Sequence, residues 1–182
     1  RALTGETSVV GIRIWGLGRE QSWFEDGTFE PFWPQAQALS VPVAIYAPNQ
    51  APLIGRLARR FPDLTLLLDH ALVRVFETQR QPSPFEGWDD VLALAGLPNI
   101  YIKVSALPEA TNERFPFPKA KQRLRQLYDR FGADRLIWGS NYPHTRRVCT
   151  YKEAVDFVRI ACDFLTEEER AKILGKTLIR IL

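Results

Sequence analysis

Five short apolar runs, each ending in polar or aromatic groups and separated by segments of helical pattern, constrain this chain more than any other feature. The runs are Val9–Ile14, Val41–Tyr46, Leu64–Leu68, Ile100–Val104 and Leu136–Trp138. At or just past their carboxyl ends stand Arg13 with Trp15, Tyr46, Asp69-His70, Lys103 with Ser105, and Ser140-Asn141-Tyr142. Strand and helix in alternation imply an α/β fold with a parallel sheet, and sheets of βα units present ligands at the carboxyl ends of their strands. The sequence therefore predicts one pocket and names its lining.

Periodicity fills in the elements. After Gly11 the first strand alternates, with Arg13 and Trp15 on one face and Ile12 and Ile14 on the other. In the fourth strand Tyr101, Lys103 and Ser105 share one face, and Ile100, Ile102 and Val104 share the other. Residues 65–68 are apolar without alternation, as in a strand buried on both faces. Helices are expected at about residues 31–39, 53–61, 88–95, 119–131, 151–165, 166–174 and 176–182. Thr166-Glu167-Glu168-Glu169 reads as a capping box. Residues 73–84 and 107–118 are expected to be long loops on the pocket side.

Composition removes several function classes. No apolar run approaches the roughly 20 residues that span a bilayer, so a membrane protein is not expected. A net charge of +3 comes from cations scattered among acids, and the one dense basic tract, residues 119–130, has the spacing of a solvated helix face. With no recognition motif present, nucleic acid is not an expected partner. Two cysteines make no disulfide framework, and a reducing cytoplasm is the expected compartment. The chain fits one domain of 182 residues, and its opening Arg1, together with the lack of any Met, suggests a piece of something longer. A homo-oligomer stays open.

His70 is the strongest candidate for chemistry, because it follows a buried strand directly and an imidazole titrates near neutrality. A histidine that merely bonds a loop carbonyl is the competing reading. Lys103, mid-strand among apolar neighbours, needs an anion, either a substrate carboxylate or an internal partner such as Asp69. Arg13 could clamp an anionic substrate through its planar fork or form a structural salt bridge. Tyr46, Asp69 and Ser105 complete the strand-end lining as substrate-binding candidates. Gly139 permits a close backbone approach where the last strand opens, and Asn141 is expected to project into the pocket. His144 and Arg146 follow, basic groups beside a cleft that favour an anionic ligand, although loop arginines are often simply solvated. Cys149 lies near the pocket without an evident base to activate it.

Three segments carry a family likeness: residues 66–70 (Leu-Leu-Leu-Asp-His), 99–105 (Asn-Ile-Tyr-Ile-Lys-Val-Ser) and 134–143 (Asp-Arg-Leu-Ile-Trp-Gly-Ser-Asn-Tyr-Pro). In this order and spacing they resemble the amidohydrolase-related family of (β/α)8 hydrolases, lactonases and decarboxylases. The resemblance implies that the five strands are the fourth to eighth of a partial TIM barrel. Strands one to three, with the family's His-x-His metal pair on the first, would lie in an N-terminal part outside this sequence. It implies a catalytic or substrate-polarising role for His70. It also places Tyr46 where metal-dependent members carry a His ligand, and Asn141 where they carry an Asp that ligates metal or acts as general base. Neutral Asn cannot take a proton and Tyr is a poor zinc ligand, so no metal residues are assigned. Zinc is expected only if the N-terminal part supplies its His-x-His. The activity implied is hydrolysis of a small carboxylate, ester or lactone, with His70 and Asn141 as catalytic candidates. The alternatives are an inactive protein that binds a small carboxylate, or a decarboxylase on the same scaffold.

Overall fold

The computed structural model describes residues 10–17, 22–75 and 83–182. Its strands are β1 (Ile12–Trp15), β2 (Val43–Tyr46), β3 (Leu66–Leu68), β4 (Ile100–Lys103) and β5 (Leu136–Ile137). They form one sheet in which every neighbouring pair is parallel and spatial order follows chain order. A doubly wound sheet reverses its order partway, whereas an unbroken progression is that of a barrel wall. The alternation read from sequence therefore builds five consecutive strands of an α/β barrel.

Register puts the apolar side chains of alternate positions on one face. Ile14, Val43, Ile45, Leu66, Leu68, Ile100, Ile102 and Leu136 are all 8% exposed or less. Each contributes about 1.5–3 kcal/mol on burial, so this face is the main stabilising layer. The opposite face carries Arg13, Ala44, Leu67 and Tyr101 in one row, each at least partly exposed. Two residues further on along the same face, Trp15 pairs with Tyr46, and Lys103 pairs with Ile137 at the other end of the sheet. Polar groups thus collect on the inner side at the carboxyl ends.

The connecting helices are α1 (Phe32–Ala38), α2 (Ala51–Arg60), α3 (Trp88–Ala93), α4 (Leu107–Thr111), α5 (Pro118–Phe131), α6 (Tyr151–Asp156), α7 (Glu167–Ala171) and α8 (Thr177–Ile181). In α5, Ala120, Leu124, Leu127 and Phe131 are buried at helical spacing, while Lys121 and Arg125 pair with Asp163 and Asp129 outside. The capping box forms as expected: Thr166 Oγ1 accepts from the Glu169 amide, and Glu169 accepts from the Thr166 amide. No helix of the described residues is long and apolar enough to cross a membrane.

Two expectations need correction. The 107–118 segment is not a plain loop, because α4 forms directly after β4, started by Ala106 in a left-handed conformation with Pro108 in its first turn. The helix expected over 151–165 widens into a π turn at Phe157–Ala161 and leaves helical geometry at Cys162. The expected loop at 73–84 falls largely on residues 76–82, which lie outside the described residues.

Candidate active site

Directly after β3 the chain turns through His70, Ala71 and Leu72, all with positive φ (56°, 50° and 55°). None is glycine, and a left-handed backbone costs an L-residue about 1–2 kcal/mol, so neighbours must hold this turn. The Val73 amide donates to the His70 carbonyl at 2.9 Å. The Tyr46 hydroxyl donates to the Val73 carbonyl at 3.0 Å and accepts from the Val75 amide at 3.3 Å. Tyr46 is therefore a buried strut beneath the turn rather than part of the pocket wall, and its ring meets His70 edge-on at 5.2 Å.

The turn delivers two side chains of opposite kind. Asp69 is fully buried and forms ion pairs with Arg13 of β1 and Lys103 of β4. Lys103 Nζ lies 3.0 Å from Oδ1, but that oxygen has no hydrogen-bond partner of good geometry, so the contact is one of charge. Three strands are thus tied together at their carboxyl ends by a single carboxylate. His70, 3% exposed, turns Nδ1 to the Ser105 hydroxyl at 2.7 Å. Burial pushes its pKa down to about 4, with Asp69 opposing and Lys103, Arg13 and His144 assisting, so the imidazole is neutral at pH 7.

The segment after β5 forms the facing wall. A Cβ on Gly139 would lie 2.6 Å from Lys103 Cε, so a larger residue here would have to push the end of the lysine aside. Asn141 has φ 53° and gives its amide nitrogen to Glu109 Oε1 at 3.2 Å. A carboxylate can only accept, which leaves the Asn141 carbonyl oxygen as the acceptor for anything else. Glu109, brought in by α4, is held at a raised pKa by burial, opposed by its contacts with Asn141, Thr145 and His144.

These groups bound a cavity of about 790 Å³. Arg13, His70, Lys103, Asn141 and His144 line it, joined by Trp15, Trp138 and Tyr142. No carboxylate lines it among the described residues; Asp69 lies behind Arg13 and Lys103, and Glu109 behind Asn141. Of the residues expected from sequence, Tyr46, Asp69 and Ser105 lie behind the lining and support it. Arg146 is not brought in: it lies in a neighbouring depression with Arg147, Cys149 and Tyr151. Cys149 contacts Thr145 Oγ1 at 3.3 Å and burial pushes its thiol pKa up, which does not suit a nucleophile. Glu109 was not anticipated; its only signal is an acid in the first turn that follows a strand end.

A metal does not fit these residues by themselves. Among the described residues no three His, Cys, Asp or Glu side chains come together to hold an ion. Tyr46 has spent its hydroxyl on backbone, and Asn141 is neutral. What remains is a pocket with two cationic donors, Arg13 and Lys103, a neutral imidazole and one amide oxygen.

Known proteins share this fold. The L-fucono-1,5-lactonase of Burkholderia ambifaria is 29% identical over 162 residues, which are 86% of this chain and 54% of that protein. The chain thus spans about half the length of that relative. A zinc-bound amidohydrolase crystal structure from Burkholderia multivorans superposes with a TM-score of 0.81 at 24% identity, over 97% of this chain and 65% of that one. A 2,6-dihydroxybenzoate decarboxylase superposes with a TM-score of 0.60 at 17% identity, over 94% and 61%. The likenesses to solved structures show the fold. The profile of the amidohydrolase family matches residues 1–182, and the chain belongs to that family.

Proposed function

We propose that the protein containing this barrel segment hydrolyses a lactone or ester of a small carboxylic acid. The observation that carries this reading is the convergence of His70, Asn141, Arg13 and Lys103 on one cavity at the carboxyl ends of the strands. Arg13 and Lys103 present net positive charge beside a carbonyl-sized donor, which suits a substrate bearing an anionic or strongly polar group. The neutral imidazole of His70 polarises the carbonyl oxygen, and the Asn141 oxygen orients the attacking water. Water adds to the carbonyl carbon, the acyl C–O bond breaks, and a water proton ends on the released alkoxide. Asn141 orients but takes no proton. No step is assigned to a metal, because the donors among the described residues do not fit one.

A sugar-acid 1,5-lactone is the first substrate to try, given the name of the Burkholderia ambifaria relative. The full-length protein, assayed against a panel of such lactones and small esters in chelator, is expected to turn over at least one. His70→Asn should lower that rate about 10²- to 10³-fold. Absence of turnover across the panel overturns the hydrolase reading. Activity lost in chelator and restored by zinc overturns its metal-free form. Asn141 itself favours a second reading, a binding protein without turnover. On that reading Asn141→Asp creates or greatly raises activity, and a lack of effect counts against it.

A further inference from the structure

We propose that Ser105 is a positioning residue that locks His70 into the tautomer protonated at Nε2, so that the cavity meets a hydrogen-bond donor there and not a base. Both side chains are buried, at 1% and 3% exposure, with Ser105 Oγ and His70 Nδ1 2.7 Å apart. Two proton arrangements fit that distance. If Nδ1 carried the proton, the Ser105 hydroxyl would accept it and its own hydrogen would need another acceptor. Among the described residues, His70 Nδ1 is the only hydrogen-bond partner Ser105 Oγ has. A buried hydroxyl proton left unpaired disfavours that arrangement by about tenfold or more. Ser105 therefore donates to Nδ1, and the proton of the neutral ring resides on Nε2.

The surroundings keep the ring in this setting. Asp69, adjacent in sequence and the obvious group to orient an imidazole, faces Arg13 and Lys103 instead. The Tyr46 ring packs against His70 with its centroid 5.2 Å away and the two planes at 83°. A ring turned over would present carbon to Ser105 and lose the bond. The low pKa of His70 adds that the doubly protonated form is absent at pH 7. A serine hydroxyl thus does here what a carboxylate does in other imidazole sites, with the opposite outcome: a carboxylate fixes the proton on the near nitrogen, this hydroxyl fixes it on the far one.

For catalysis the consequence rests on the hydrolase reading above; the tautomer itself does not, and its test needs no substrate. Full-length protein carrying ¹⁵N-labelled histidine is examined at pH 7 by long-range ¹H–¹⁵N correlation, with His70→Asn to assign the ring. The wild-type His70 pattern should be that of a single form, protonated at Nε2 and unprotonated at Nδ1. Ser105→Ala should lose that single-form pattern, and Ser105→Thr, which keeps the hydroxyl, should retain it. A wild-type ring protonated at Nδ1, or a Ser105→Ala pattern unchanged from wild type, overturns the proposal. Should Ser105→Ala fail to fold, the wild-type spectrum alone decides. An Nε2-protonated ring in a protein that hydrolyses nothing on the panel would uphold Ser105 and sink the hydrolase reading alone.

Discussion

Acid should destabilise this protein through His70. In the unfolded chain the imidazole protonates near pH 6.5; in the folded protein burial delays protonation to about pH 4. Between those values the unfolded state binds a proton that the folded state refuses, so stability falls as pH falls. The contribution is complete above pH 6.5 and is lost at about 1.36 kcal/mol per pH unit across the window, reaching about 3 kcal/mol at pH 4. That is a large share of a typical folding free energy of 5–15 kcal/mol. Urea denaturation of the full-length protein at intervals from pH 7.5 to 4 measures it. His70→Asn is the reference, because asparagine tolerates the left-handed backbone at this position and does not titrate. Other groups titrate in both proteins and cancel in the difference. The two stability curves should converge by about 3 kcal/mol toward pH 4. Parallel curves would refute the reasoning, because the imidazole would then titrate as if solvated, and diverging curves would refute it too, because the imidazole would then be stabilised as a cation.

Two further perturbations probe the supports of the site. Gly139→Ala places a Cβ against the Lys103 stem, so the lysine must leave Asp69 or the β5 backbone must shift; a loss of about 1–3 kcal/mol in denaturant is expected, and unchanged stability would show that the lysine moves freely. Tyr46→Phe removes the hydroxyl beneath the left-handed turn and leaves the Val73 carbonyl and Val75 amide without it; about 1–3 kcal/mol should be lost, with faster hydrogen exchange at the Val75 amide, and unaltered exchange would refute the strut.

Much of the fold was written in alternation. Ile14, Ile100 and Ile102 fall on the buried face because period-two patterning leaves no other way to cover them, and Lys103 is carried to the inner side by the same rule. The turn at His70 was not legible, because its left-handed residues include no Gly or Asn to announce it; it is imposed by Tyr46 and the Val73 bonds. Glu109 was hidden for another reason: it lies 32 residues from Asn141, and only the unforeseen α4 swings it there. Arg146 was misplaced because the loop after β5 winds into a 3₁₀ turn at His144–Arg147, which sends neighbouring side chains in different directions.

The carboxylate of Asp69 has a further meaning for any guest. Two cations held side by side would repel, and an empty pocket would splay them apart; their shared counter-ion keeps both aimed before anything arrives. An incoming anion meets a prearranged pair and forgoes the entropy of gathering it. The arithmetic of the trio leaves a surplus of one positive charge, which welcomes a single negative group and gives a second one nothing to neutralise.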